Sequence, residues 1–170
     1  MKWRAVALVY RYEESPIGSL LLAGQGEELH FLRFAGEKPA PDWRLDEKAL
    51  GEAAGQLRQY FAGTRRSFDI VLKPTGTDFQ QAVWQALREI PYGETRSYGE
   101  IAARIGRPKA VRAVGAANGR NPIVILQPCH RVIGQDGTLV GFGGGLPTKK
   151  TLLRLEGALP SQASLGITGR

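Results

Sequence analysis

Ser97-Tyr98-Gly99-Glu100-Ile101-Ala102-Ala103-Arg104-Ile105-Gly106-Arg107-Pro108-Lys109-Ala110-Val111-Arg112-Ala113-Val114-Gly115-Ala116-Ala117-Asn118 decides how the second half of this chain folds. Ser97 offers an N-cap, and Tyr98, Ile101, Ala102 and Ile105 follow at helical spacing. Gly106-Arg107-Pro108 then makes a tight turn, and Lys109 to Asn118 continues as a helix of Ala, Val and Arg. Two short helices joined by a turn containing Gly match the helix-turn-helix pattern. The second helix has small side chains, so its backbone can approach a groove closely, with Lys109 and Arg112 projecting. The same composition suits a helix packed tightly on its neighbour. The pattern alone does not establish DNA binding.

On the N-terminal side, Thr77-Asp78 caps another helix, through Phe79, Val83, Trp84, Leu87 and Ile90, which Pro91-Tyr92-Gly93 ends. Lys73-Pro74-Thr75-Gly76 breaks the chain, and what precedes it reads as α/β. Trp3 to Tyr12, Ser19 to Ala23, Leu29 to Phe34 and Phe68 to Leu72 are apolar or alternating runs of strand length. Ser15-Pro16-Ile17-Gly18 and Gly24-Gln25-Gly26 punctuate them. Between Asp46 and Phe61 the apolar positions recur at helical spacing. His30, among strand side chains, reads as packed rather than ligating. Two domains follow: 1–74, a small antiparallel sheet plus helix, and 75–170, mainly helical.

On the C-terminal side, Gly119-Arg120-Asn121-Pro122 turns the chain into the apolar run Ile123-Val124-Ile125-Leu126 and then Gln127-Pro128-Cys129-His130-Arg131-Val132. Cys129 is the only cysteine, and His130 is one of two histidines. A thiol reacts as thiolate, and basic neighbours such as His130 and Arg131 would raise that fraction. A lone cysteine also behaves as a small buried hydrophobe, and adjacency in sequence does not make a dyad. Ile133 to Thr138 looks like a hairpin with Asp-Gly turn chemistry. A glycine-rich loop, 139–145, follows; its spacing matches neither a dinucleotide fingerprint nor a P-loop, and it is expected to wall the Cys129 site. Pro147 to Glu156 closes the pattern as a final helix.

Composition narrows the function classes. No run of about 18 apolar residues exists, which predicts no membrane span. The N-terminus lacks a small-residue cleavage site after its apolar stretch, so a first strand is expected rather than a signal peptide. One cysteine excludes an internal disulfide and fits a reducing, cytoplasmic setting. One Cys and two His make a Cys/His metal site an unpromising reading. Net charge is +7, with 11 Lys/Arg against 10 Asp/Glu up to residue 74 and 12 against 6 beyond it. Basic charge gathered in one half suits a polyanionic partner, nucleic acid above all, and equally a generally basic protein.

Arg112-Ala113-Val114-Gly115, Asn121-Pro122, Pro128-Cys129-His130-Arg131-Val132 and Gly143-Gly144-Gly145 before Lys149 together resemble the O6-alkylguanine-DNA alkyltransferase family. Phe79-Gln80-Gln81-Ala82-Val83-Trp84 and Ile90-Pro91-Tyr92-Gly93-Glu94-Thr95 are similar to its bacterial members. The resemblance is dense from Thr77 to Glu156 and looser before residue 74. It implies a ribonuclease H-like N-terminal domain and a winged helix-turn-helix C-terminal domain.

The same resemblance implies suicidal repair of duplex DNA without a cofactor. Cys129 takes the alkyl group from O6 of guanine, with O4-alkylthymine a further expected substrate. His130 receives the thiol proton, Glu156 orients the histidine, Tyr98 hydrogen-bonds the departing guanine, and Asn121 ties the supporting turns. Arg112 fills the space left by the extruded base, and Lys109, Ala113, Ala116, Ala117 and Tyr98 meet the DNA minor groove. Phe142, Gly143, Lys149 and Val132 form the substrate pocket. A monomer is expected, with cooperative assembly on DNA left open. Two departures from the family stand out: Phe142 where tyrosine is frequent, and Gln127 where a β-branched apolar residue is common and where a buried amide would need a partner.

Overall fold

Short turn signals between apolar runs make β1 (Val9–Ser15), β2 (Gly18–Gln25) and β3 (Glu28–Arg33) an antiparallel meander, with β2 buried continuously from Leu20 to Gly24. A computed structural model describes residues 7–139 and 144–159, in two compact units divided between Thr75 and Gly76. In the first unit a short β4 (Arg44–Leu45) joins the far side of β1 in parallel, giving the order β3-β2-β1-β4. The sheet is therefore mixed, not purely antiparallel as expected.

Helix α1 (Gly51–Phe61) buries Ala53, Ala54, Leu57 and Tyr60, and its Arg58 reaches Glu13 of β1 at 2.9 Å. It begins five residues later than the periodicity suggests. Asp46 Oδ1 accepts the Lys48 N–H (3.0 Å), and Leu50 sits at φ 55, so a turn occupies the front of the segment. Phe68–Leu72 does not form the expected strand. It makes a single parallel bridge, Leu29 to Leu72, because Gln56 of α1 takes the Asp69 N–H (2.9 Å) that a ladder would have used.

In the second unit, Thr77 and Gln80 close a capping box on α2 (Asp78–Arg88), and Ser97 and Glu100 close another on α3 (Tyr98–Arg104). Gly106, at φ 77, ends α3: its N–H bonds Ala103 O and the Arg107 N–H bonds Ala102 O. Helix α4 (Val111–Gly119) follows, pinned to α2 by Trp84 Nε1 donating to Ala117 O at 2.9 Å. Lys109 lies in the turn before α4, not on it, because Pro108 delays the helical backbone.

After α4 the chain runs irregularly to a 3₁₀ turn, Cys129–Arg131, then β6 (Val132–Ile133), which pairs in parallel with β5 (Arg96–Ser97). A Gly134–Thr138 turn follows without a hairpin ladder among the described residues. Helix α5 (Leu146–Leu155) is the last element among the described residues. No helix among the described residues is long and apolar enough to cross a membrane.

Candidate active site

The run before Cys129 is a chain of tight turns rather than a strand. Ile125 has φ 71, and the Leu126 N–H bonds Val124 O at 2.8 Å, a three-residue turn that a β-branched residue adopts only under strain. The Gln127 N–H bonds Ile123 O (3.1 Å), and the Cys129 N–H bonds Gln127 O (2.7 Å). Ile123, Ile125 and Gln127 are buried, so the strain is held by packing on all sides.

Asn121 is the knot of these turns. Its Oδ1 accepts from the Ile123 N–H (3.0 Å) and from Gln127 Nε2 (2.8 Å), and its Nδ2 donates to Gln127 O (2.6 Å). The same side chain hydrogen-bonds the Cys129 thiol. Gln127, the residue in need of a partner, finds it in Asn121.

Burial pushes the Cys129 thiol up to about 11, against the opposing pull of Asn121, Lys149 and the Cys129 and His130 N–H groups. Lys149 favours the thiolate, as a basic neighbour was expected to, but burial outweighs it in the resting protein. Arg131, moreover, is spent elsewhere. Its Nε and Nη2 clamp Glu156 Oε1 and Oε2 at 2.7 and 2.9 Å, and its Nη1 donates to Ile90 O at 2.6 Å.

His130 Nε2 stands 2.8 Å from Glu156 Oε2, with both side chains fully buried. Burial lowers the His130 pKa despite that carboxylate, so the ring is neutral. Burial also works against the Glu156 carboxylate, but hydrogen bonds from His130 and Arg131 and the Arg131 charge outweigh it and hold the group at about 2. A carboxylate accepts only, so the neutral ring carries its proton on Nε2 and leaves a lone pair on Nδ1. That Nδ1 is buried and has no hydrogen-bond partner among the described residues. Glu156 caps the C-terminus of α5, where the helix dipole disfavours an anion, and Arg131 with His130 compensates. Gly93, at φ 84, approaches Glu156 O so closely that a Cβ would stand 3.1 Å away.

Tyr98, half-buried on α3, has its phenol pushed up by burial and by Cys129, so it stays a hydroxyl. Lys149 is fully buried, donates to Val132 O at 2.6 Å, and has its pKa lowered by burial. Arg112, Ala113 and Ala116 are exposed on α4, as is Lys109 in the preceding turn. Ala117, expected beside them, is buried instead, because it lies about 100° around α4 from Ala116, on the side shared with Val114 and Asn118, where Trp84 bonds its carbonyl. Phe142 and Gly143 lie outside the described residues. No group of three or more His, Cys, Asp or Glu among the described residues is placed to hold a metal.

Two domain models of one family match this chain: "6-O-methylguanine DNA methyltransferase, ribonuclease-like domain" over residues 8–74, and its "DNA binding domain" over 78–158. The chain belongs to the 6-O-methylguanine DNA methyltransferase family. A methylated-DNA–protein-cysteine methyltransferase of Methanosarcina acetivorans is 56% identical over 89% of this chain and 99% of its own. Its Mycobacterium tuberculosis counterpart is 56% identical over 86% of this chain and 91% of its own. The solved structure of Mycobacterium tuberculosis OGT in complex with DNA superposes with a TM-score of 0.86 at 53% identity, over 93% of this chain and 99% of that one.

Within this methyltransferase frame, four residues outside the expected set also build the site. Arg131 clamps Glu156. Tyr92 lies under the Arg131 guanidinium (5.8 Å) and its hydroxyl donates to Leu155 O (3.2 Å). Asn118, buried on α4, donates to Cys129 O (3.4 Å) and hydrogen-bonds Tyr98. Gln127 holds Asn121. Their signal in the sequence is weak, a polar type on an otherwise apolar face.

Proposed function

We propose that this protein repairs duplex DNA by moving an alkyl group from O6 of guanine to Cys129, once per molecule and without a cofactor. The observation that carries it is the buried array Cys129, His130, Glu156, Arg131, with the lone pair of His130 Nδ1 unspent. The thiol proton passes to Nδ1, bridged by one water, and Glu156 stabilises the imidazolium. Sulfur attacks the alkyl carbon, the S–C bond forms as the C–O6 bond breaks, and the electron pair leaves on guanine. Tyr98 donates a hydrogen bond to that anion.

The target atom lies inside the stack, so the nucleotide must be extruded. The α3–turn–α4 unit is the helix-turn-helix that does this in the minor groove, within a winged domain that follows a ribonuclease-like one. Arg112 fills the gap left by the base, and Ala113 and Ala116 admit the helix to a groove roughly 6 Å wide. Lys109, in the turn, is a phosphate contact. Val132 and Lys149 back the pocket. The cytoplasm is the proposed setting, one copy acts per lesion, and O4-alkylthymine is a second substrate.

Intact-protein mass spectrometry after mixing with a duplex carrying O6-methylguanine tests this. One methylene gained per molecule, on the Cys129 peptide, is expected, and Cys129→Ala should gain none while still binding. Tight binding without a mass change would make the protein a lesion-recognition module instead.

A further inference from the structure

Gln127 places a fully buried amide at the end of an apolar run, one residue before Pro128-Cys129. Its Oε1 is buried without a hydrogen-bond partner among the described residues, an arrangement that is destabilising in itself. An apolar side chain of the same length would avoid that cost. The other end of the amide is engaged. Nε2 donates to Asn121 Oδ1 at 2.8 Å, beside the Ile123 N–H at 3.0 Å. Both acceptor positions of Asn121 Oδ1 are thereby filled. Asn121 Nδ2 gives one hydrogen to Gln127 O (2.6 Å) and has the second for the Cys129 thiol. Turning the Asn121 amide over would set Nδ2 against two donors and Oδ1 against a carbonyl.

We infer that Gln127 is a positioning residue for alkyl transfer: its side-chain amide locks Asn121 so that Nδ2 points at the sulfur of Cys129. This rests on Cys129 being the nucleophile. Negative charge gathers on sulfur as the thiol ionises, and an N–H already fixed in place stabilises it without reorganisation. The Gln127 main chain adds to the same lock, since its carbonyl also takes the Cys129 N–H at 2.7 Å. The ionisable groups around the thiol are Tyr98 on α3, Lys149 on α5, and His130 with Arg131 and Glu156 behind it. A change at 127 leaves all of them in place.

Gln127→Met keeps length and burial and removes the donor. Gln127→Ile removes it with a different shape, so the test survives if one variant fails to fold. Two rates are followed against pH in parent and variants: labelling of Cys129 by iodoacetamide, and methyl transfer from an O6-methylguanine duplex. The labelling midpoint is expected to rise by about half a unit to one unit. Transfer at neutral pH should slow about threefold to tenfold and recover at higher pH, with DNA affinity and Tm no lower than in the parent. Labelling profiles that coincide with the parent's would overturn the role of Gln127 whatever happens to Tm. A parent that is labelled but takes no methyl would overturn the proposed function instead, and the shift in the labelling midpoint would still judge Gln127.

Discussion

Arg131 shows how one side chain sets the chemistry of another it does not touch. Its fork holds both oxygens of Glu156, and Glu156 in turn fixes which nitrogen of His130 carries the proton. Lysine is no substitute, because a point charge cannot bridge two oxygens and also reach Ile90 O. Arg131→Lys is expected to lose roughly 2–4 kcal/mol of stability, since it leaves part of a buried carboxylate uncompensated. Methyl transfer should slow with it, as the His130 tautomer is no longer dictated. Urea denaturation and single-turnover transfer rates check both; a variant as stable as the parent would mean that the clamp holds nothing.

Helix α4 is short, and its middle residue is Gly115, facing the Tyr98 ring. A Cβ there would stand 3.9 Å from Tyr98 Cδ1 and Cε1, ordinary van der Waals contact. Gly115→Ala should therefore stabilise the protein by about 0.5–1 kcal/mol through helix propensity alone, read as a rise in urea midpoint at unchanged m-value. A fall would show that the ring cannot yield. Elements such as this were legible in the sequence where the signal is local. Thr77 with Gln80 and Ser97 with Glu100 are capping boxes within four residues, and Gly106-Arg107-Pro108 stops a helix by its own chemistry. Cys129, His130, Asn121 and Glu156 were legible through a family resemblance, and the structure brings them together. What distant partners decide was not legible. Ile125 belongs by type in a strand, yet packing holds it at φ 71; Phe68–Leu72 loses its ladder to a helix glutamine; Arg131 finds Glu156 25 positions away. Ala117 was misplaced for a related reason, because a small residue gives no clue to which side of a helix it serves.

For the molecule as a whole, the same buried groups shape stability against pH, and the sign differs between them. His130 is lowered from 6.5 and Glu156 from 4.5 to about 2, so as pH falls the unfolded chain takes up protons that the folded one refuses. Stability drops on the acid side, first below about 6.5 and again from 4.5 toward 2. Cys129 is raised from 9.0 to about 11, so above 9 the unfolded chain loses a proton that the folded one keeps, and stability falls as pH rises. Tyr98, raised from 10.0, adds to that limb one unit later, while Lys149, lowered from 10.5, acts in the opposite direction below 10.5. Subtracting the Cys129→Ser curve from the parent curve removes what His130 and Glu156 contribute to both and leaves the thiol, with the part of the Tyr98 and Lys149 shifts that depends on it. The difference should be level from pH 6 to 8 and then fall by roughly 1 kcal/mol over the first unit above 9. A difference that stays level to pH 11 would mean that Cys129 ionises as readily folded as unfolded. The thiol would then keep the ordinary cysteine value in the folded protein, and burial would not be what holds it protonated.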